Sequence, residues 1–433
     1  MEKYPKLWIM AQRIEGLVTG QSSHAGGIII YDEDITKTNS LMRLKSGDYV
    51  TAYDLHQSEQ LSDVKIDMLA TEGLVRIRSC LDLLVEAGYI DKNLSLKERY
   101  MKVLGPYNIN RDEPKMWEKL WRGEVVSCFQ MEQESGIKGI KLIKPKSVEE
   151  LAVLNSVIRL MASEKGAEQP LDMWARYRAD INQWYDEMRR YGLKEEDVQW
   201  LARHPAITQG MCESQESAMI LVQEQKCGGN SLAWADRMRR AKKIPAELAQ
   251  IRKEYYENAE EKGCDEKLVT YILEKLISCQ FGYSFNLSHC LSYSIIGLQE
   301  MNLAYFYPTL YWNTANLIVD SASFSQIDEE ENEENEEEEE IVSIYEPEDY
   351  DEYDYIDLPE QNKKIKKVKK TVDYGKISKA ISRFRSYGIN ILPPDINKSN
   401  YTFTPDEKNN AINYGLRGIT RISDDLIKEI IHN

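Results

Sequence analysis

The 433-residue sequence predicts an α+β protein: a small mixed α/β piece, a large mainly α-helical body, and a small α/β tail. Three observations predict it. Before residue 72, apolar and polar residues alternate with the two-residue period of strands. From Glu72 to about residue 303, apolar residues recur at three- and four-residue spacing, as on helices packed against a core. Between Ser321 and Thr371 the composition collapses into charge, and regular patterning resumes only afterwards. The expected segments are therefore 1–72, 73–320, 321–371 and 372–433.

In the first segment, residues 4–18 read as a short amphipathic helix carrying Leu7, Ile9, Ile14 and Leu17. Ser23-His24-Ala25-Gly26-Gly27 then leads into the isoleucine run 28–30, expected as a buried strand. Residues 49–54 are a second strand candidate. The third is Asp63-Val64-Lys65-Ile66-Asp67, with Val64 and Ile66 expected on a buried face and the charged residues on the other. A carboxylate fixed on a strand with an ammonium two residues away suits a divalent cation and the phosphates it carries; it also suits a plain solvated face.

From Glu72 the pattern turns helical. Leu74, Ile77, Leu81, Leu84 and Val85 line one face, and further helices are expected at 114–122, 128–141, 147–162, 171–191, 216–225, 231–242, 245–262, 266–279 and 289–303. The tail offers a helix at 377–385, strands around 389–392 and 401–403, and a last helix from Ser423. Hydrophobic content of 42% is that of a soluble globular protein, and no apolar run approaches the roughly 20 residues of a membrane span. No secretory signal pattern follows the N-terminal Met-Glu-Lys-Tyr-Pro-Lys. Seven cysteines, an odd number with no Cys-x-x-Cys pair, point to reduced thiols in a cytoplasmic compartment rather than disulfides or structural zinc.

The net charge of −17 is concentrated in one place. Residues 328–357 hold 18 Asp and Glu and no Lys or Arg, so the rest of the chain is close to neutral and can carry local basic patches for a polyanion. A lysine-rich run, 363–370, follows the acidic tract. Like charges repel and bury nothing, so 321–371 is expected as a disordered insertion or linker, with shielding of a basic groove as the functional alternative.

Four stretches interrupt the helical pattern with chemistry. In Cys128-Phe129-Gln130-Met131-Glu132-Gln133-Glu134, polar groups break an apolar face; Gln215-Glu216 opens another helix. In residues 234–243, Asp236, Arg239, Arg240 and Lys243 share a helix face with Lys242 beside them, a candidate triphosphate grip if not merely solvated surface. In Phe281-Gly282-Tyr283-Ser284-Phe285-Asn286-Leu287-Ser288-His289, aromatic rings precede a helix start. Ser288 is the expected N-cap, and rings beside free helix N–H groups suit a stacked base with its phosphates nearby; a packed core loop is the alternative.

In this order the stretches resemble the C-family replicative DNA polymerases of bacteria and their phages, the DNA polymerase III alpha subunits. The resemblance rests on His24-Ala25-Gly26-Gly27, Val64-Lys65-Ile66-Asp67, Phe129-Gln130-Met131-Glu132, Gln215-Glu216, Ala235-Asp236 with Arg239-Arg240-Ala241, and Gly282-Tyr283 with Phe285-Asn286 and Ser288-His289. Ile391-Leu392-Pro393-Pro394-Asp395 and Tyr414-Gly415-Leu416 extend it into the tail. It implies the end of the thumb and last part of the palm in 1–72, the fingers in 73–320, and the start of a helix-hairpin-helix-like DNA-binding region in 372–433. It further implies template-directed DNA synthesis by two-metal phosphoryl transfer with Mg²⁺. Asp67 would be a catalytic metal-binding carboxylate, with Lys65 beside it. Arg159, Arg239, Arg240, Lys242, Lys243, Tyr283, Asn286, Ser288 and His289 would hold the incoming nucleotide, and Lys138 and His24 would contact DNA. The implied partners are primer-template DNA, deoxynucleoside triphosphates, a sliding clamp and, with no membrane, an N-terminal polymerase half bearing an Asp-x-Asp motif.

Three departures qualify the resemblance. That Asp-x-Asp pair has no counterpart upstream of His24 here, so synthesis is expected only beside polypeptide that supplies it. Leu287 stands where the family commonly has Lys, and Leu160-Met161-Ala162 follows Arg159 in place of Pro-Gly-Pro, which points to a divergent, phage-like branch. Arg421-Ile422-Ser423 occupies the place of a glycine-containing hairpin. The competing reading is a non-catalytic DNA- or nucleotide-binding module derived from the fingers.

Overall fold

Two units divide the chain at residue 72: Met1–Glu72 and Gly73–Asn433. The computed structural model describes residues 5–17, 26–31, 34–44, 47, 49–61, 64–67, 71–125, 127–161, 166–241, 245–281, 283–321, 372, 374–386 and 388–432. The mixed first segment, helical body and α/β tail expected from the sequence are all present. The charged tract of 322–371 lies outside the described residues. Among those described, no helix is long and apolar enough to cross a membrane.

The first unit contains the helices Pro5–Ile14, Ile35–Thr38 and Leu55–Gln60 and four short strands: β1 (Gly27–Ile29), β2 (Leu41–Arg43), β3 (Tyr49–Thr51) and β4 (Lys65–Asp67). β2 and β3 form an antiparallel pair. β1 pairs antiparallel with β4, setting Gly27 opposite Asp67, Ile28 opposite Ile66 and Ile29 opposite Lys65. The expected buried faces are not buried. Val64 is 70% exposed and Ile66 42%, and Ile28 and Ile30 are exposed as well. Each ladder has only two strands, and no layer among the described residues covers the apolar positions.

The second unit buries its core well. Trp117, Trp174, Trp184 and Trp312 are among its fully buried side chains. At its centre the helix Val148–Val157 packs against the long helix Leu287–Phe306. Gly297 of the long helix lets the Cys128 turn approach, since a Cβ there would stand 3.0 Å from Cys128 Sγ. Of the expected helices, 171–191 is broken into Pro170–Ala179 and Asn182–Tyr191. Asp180, in extended conformation, accepts from Asn182 N at 3.1 Å, so a local side-chain turn replaces a helical bond. The 128–141 helix begins only at Glu134; the residues before it form a turn in which Gln130 takes φ +70°. The 266–279 helix is α only to Tyr271 and continues as a widened π turn and a 3₁₀ turn.

Helices at Leu96–Leu104, Glu195–Arg203 and Thr309–Asp320 were not expected. Residues 310–319 are buried on every side, which erases the amphipathic period that would mark a surface helix. In the tail, the helix Tyr374–Ser386 leads to β5 (Asn390–Leu392), β6 (Thr404–Asp406) and β7 (Ala411–Asn413), a sheet of order β5-β7-β6. The strand expected at 401–403 lies three residues later, because Tyr401 and Phe403 are spent as buried anchors. The tail belongs to the same unit as the helical body. Glu407 accepts from the hydroxyls of Tyr89 at 2.8 Å and Tyr311 at 2.7 Å.

Candidate functional site

The helix Leu287–Phe306 and the loop before it build one wall of an open cleft. Asn286, rather than the expected Ser288, is the N-cap: its Oδ1 accepts from His289 N at 3.1 Å, and the Ser288 hydroxyl donates to the same oxygen. A side-chain amide at the extended position before the first turn reaches the free N–H groups, whereas Ser288 already lies within the helix. The loop is fixed from below by the start of the helix Gln215–Gln223. Gln215 N donates to Phe285 O at 3.0 Å, and Gln215 Nε2 donates to Ser284 O at 2.7 Å. Glu216 accepts from Leu287 N at 2.8 Å and from Asn286 Nδ2 at 2.5 Å.

Four rings of this wall follow one another at steep angles, two of the three pairs edge to face and the Phe285–His289 pair tilted. Tyr283 and Phe285 lie 5.2 Å apart, Phe285 and His289 4.8 Å, and His289 and Tyr293 4.0 Å, between centroids. With Gln215, Asn286 and Ser288 they line a cleft of about 670 Å³. Such rings offer sequence-tolerant stacking surface.

Two arginines reach this wall from different parts of the helical body. Arg239 donates to Gln215 Oε1 at 3.3 Å and to Asp236 Oδ1 at 2.6 Å. Arg240 pairs with the other oxygen of Asp236 at 2.9 Å and is 69% exposed. The Asp236 carboxyl is held below its usual range, first by the Arg239 hydrogen bond. Arg159, just past the helix Val148–Val157, places its guanidinium 4.6 Å from the Phe285 ring centre. Its Nη1 donates to Asn155 O at 2.6 Å and Oδ1 at 2.5 Å, and its Nη2 donates to the backbone and side-chain oxygens of Gln130. Partial burial pulls its pKa down, but an arginine remains charged. Burial and then the Arg159 charge depress His289, which favours the neutral imidazole.

Behind this wall lie acidic groups that periodicity did not nominate. Glu300 is completely buried; its Oε2 accepts from Phe129 N at 2.6 Å, and Oε1 has no partner among the described residues. Burial, then the Glu132 charge, raises its pKa well above the ordinary carboxyl range. Gln130 next door pays roughly 1 kcal/mol or more for its left-handed backbone. A lone carboxylate within an apolar run such as 294–304 is the only sequence signal that could have flagged Glu300.

The structure thus places Tyr283, Asn286, Ser288 and His289 in the lining of one cleft, with Arg159 against its Phe285 ring, Arg239 on its Gln215 side chain and Arg240 on the adjoining helix face. Lys138 stands apart, paired with Asp172 at 3.0 Å on an exposed surface. Lys242, Lys243 and His24 lie outside the described residues. Lys65 and Asp67 belong to β4 of the first unit, where the Asp67 backbone is described but its side chain is not. Among the described residues, no group of three potential ligands gathers as a metal site. One strand-borne carboxylate does not make a magnesium site by itself.

The profile of the bacterial DNA polymerase III alpha subunit finger domain matches residues 88–263, which contain Gln130, Asn155, Arg159, Gln215 and both cleft-side arginines. That of the bacterial DNA polymerase III alpha NTPase domain matches residues 1–70. The chain belongs to the bacterial DNA polymerase III alpha family. Relatives agree along its whole length. It is 37% identical to the probable DNA polymerase YorL of Bacillus subtilis and to a DNA-directed DNA polymerase of Bacillus phage SPbeta, in each case over 100% of this chain and 31% of the relative. It is 27% identical to the DNA polymerase III subunit alpha of Borreliella burgdorferi, over 99% of this chain and 30% of the relative. The chain thus spans about a third of the length of these relatives. A helix-hairpin-helix profile matches residues 388–433. At the turn where the family would carry glycine, Arg421 adopts φ +67°.

Proposed function

We propose that this chain is the fingers and part of the palm of a phage-type replicative DNA polymerase, and that its cleft receives the incoming deoxynucleoside triphosphate during template-directed synthesis. The observation that carries the reading is the convergence of Arg159 and Arg239, from separate parts of the helical body, on one ring-lined loop: Arg159 on Phe285 and Arg239 on the Gln215 side chain that holds it. The rings of Tyr283, Phe285, His289 and Tyr293 would receive the base and sugar. Arg159, Arg239 and Arg240, with Lys242 and Lys243, would neutralise the triphosphate as the primer 3′ hydroxyl attacks and pyrophosphate leaves.

A divalent ion such as Mg²⁺, when bound, supplies nucleophile activation and charge neutralisation. Asp67, beside Lys65, would contribute one of its carboxylates, and the others would come from polypeptide bearing an Asp-x-Asp motif, in this chain or another. Lys138 and His24 would face primer-template DNA, and a sliding clamp is a further expected partner. The exposed isoleucines of the first unit are consistent with cover by that additional polypeptide.

Primer extension with this chain and a polypeptide carrying the Asp-x-Asp segment tests the proposal. Synthesis should require both; Asp67→Ala should abolish it while sparing DNA binding. Arg239→Gln should raise KM for the nucleotide roughly 10- to 100-fold, the cost of one hydrogen bond to a charged group. The sharing of Asp236 by both arginines, which reduces their free charge, favours the competing reading of a non-catalytic binding module. Synthesis that survives Asp67→Ala would decide against a catalytic role for that carboxylate.

A further inference from the structure

We infer that Gln130 and Asn155 are positioning residues, holding the Arg159 guanidinium against the Phe285 ring as a fixed cation whose counter-charge is a nucleotide phosphate. The inference rests on the proposed nucleotide cleft and deepens it.

All four hydrogen bonds from the two ends of the guanidinium go to neutral oxygens: Asn155 O and Oδ1 on one side, Gln130 O and Oε1 on the other. Among the described residues, no carboxylate forms an ion pair with Arg159, although most half-buried arginines of this protein have one. Arg178, for example, meets Glu150 at 2.8 Å, and the buried Arg76 likewise meets Asp320 at 2.8 Å. A partly desolvated cation without a counter-ion is unfavourable unless something else repays it.

The cage is itself costly. Gln130 offers both oxygens to one nitrogen from a backbone at φ +70°, a conformation that side-chain-bearing residues rarely adopt. Asn155, fully buried, spends its oxygens on Arg159 and leaves Nδ2 without a partner among the described residues. A strained residue and an orphaned amide around one uncompensated charge are what pre-organisation toward an anion requires. A merely structural staple between the 128–133 turn and the Val148–Val157 helix would be served better by a carboxylate at position 130.

The test is Gln130→Glu, which puts that carboxylate on Arg159, with Gln130→Met as a neutral variant lacking the acceptor. Two quantities are read on the full chain: the dissociation constant of a deoxynucleoside triphosphate with Ca²⁺, and the His289 titration by NMR of ¹³C-labelled histidine, assigned with His289→Gln. Arg239→Gln serves as a control. Gln130→Glu should weaken nucleotide binding about 10-fold or more and raise the His289 pKa, because the Arg159 charge depressing it is neutralised. Gln130→Met should weaken binding by releasing the guanidinium.

Unchanged nucleotide affinity in both variants, while Arg239→Gln weakens it, would overturn the positioning role and leave the cleft reading intact. If the wild-type chain fails to bind the triphosphate although the His289 titration moves as expected, the cage is real but the phosphate is not its counter-ion. That result overturns both the inference and the reading beneath it.

Discussion

Glu213 sits one residue before the bridge that fixes the aromatic loop, with 5% of its surface exposed. One oxygen accepts from Thr208 Oγ1 at 3.3 Å, and the other has no partner among the described residues. Burial pushes its pKa up to about 7, from an ordinary 4.5. The folded state therefore binds more protons than the unfolded one between those values. The contribution to stability is full below about pH 4.5 and is lost as pH rises through about 7. The size is on the order of 3 kcal/mol for a group this buried. Glu213→Gln should match wild type near the acid end of that window and exceed it by about 2–3 kcal/mol at pH 8. Urea midpoints at the two pH values read the difference. Glu132 and Glu300 are shifted in the same direction, so both proteins keep a residual slope and only the difference between them reports Glu213.

At the level of elements, Arg421 shows what spacing and composition can and cannot reveal. The missing glycine was legible and suggested a lost hairpin, yet the backbone turns there regardless, with arginine in the left-handed region. That conformation costs a side-chain-bearing residue about 1–2 kcal/mol, partly offset by the entropy glycine would lose on folding. Arg421→Gly should therefore raise stability by up to about 1 kcal/mol, seen as a higher midpoint of urea unfolding with unchanged slope. Surface helices such as Leu232–Ala241 and Pro245–Glu261 were legible to within a residue or so, because their faces differ. Thr309–Asp320 was not, because burial all round removes the contrast. The cleft was legible in part: polar residues and rings that interrupt an apolar pattern nominated Gln215, Tyr283, Asn286 and His289. The cage around Arg159 was not, because one of its two members, Asn155, lies within a helix and shows only as a single polar residue in an apolar period. Nothing in the alternation of β4 disclosed that Val64 and Ile66 would stay exposed, since a period of two gives the direction of a side chain but not what covers it.

Across the whole molecule, charge is the property least tied to the fold. The chain carries −17 formally, and 18 acidic residues between 328 and 357 account for that excess. A near-neutral remainder with exposed cations such as Arg240 would bind a polyanion weakly on its own, and the acidic tract opposes even that by long-range repulsion. Replacing those 18 residues by Asn and Gln keeps the chain length and removes the repulsion. Affinity for random-sequence duplex DNA should rise several-fold at low ionic strength, and the gain should shrink toward nothing as salt shortens the screening length below about 8 Å. Fluorescence anisotropy across a salt series measures both. A gain that persists at high salt would mean that the tract acts by occupying a binding surface rather than through its field. Equal affinity at every salt concentration would mean that the acidic residues lie too far from the DNA-binding surface to be felt there.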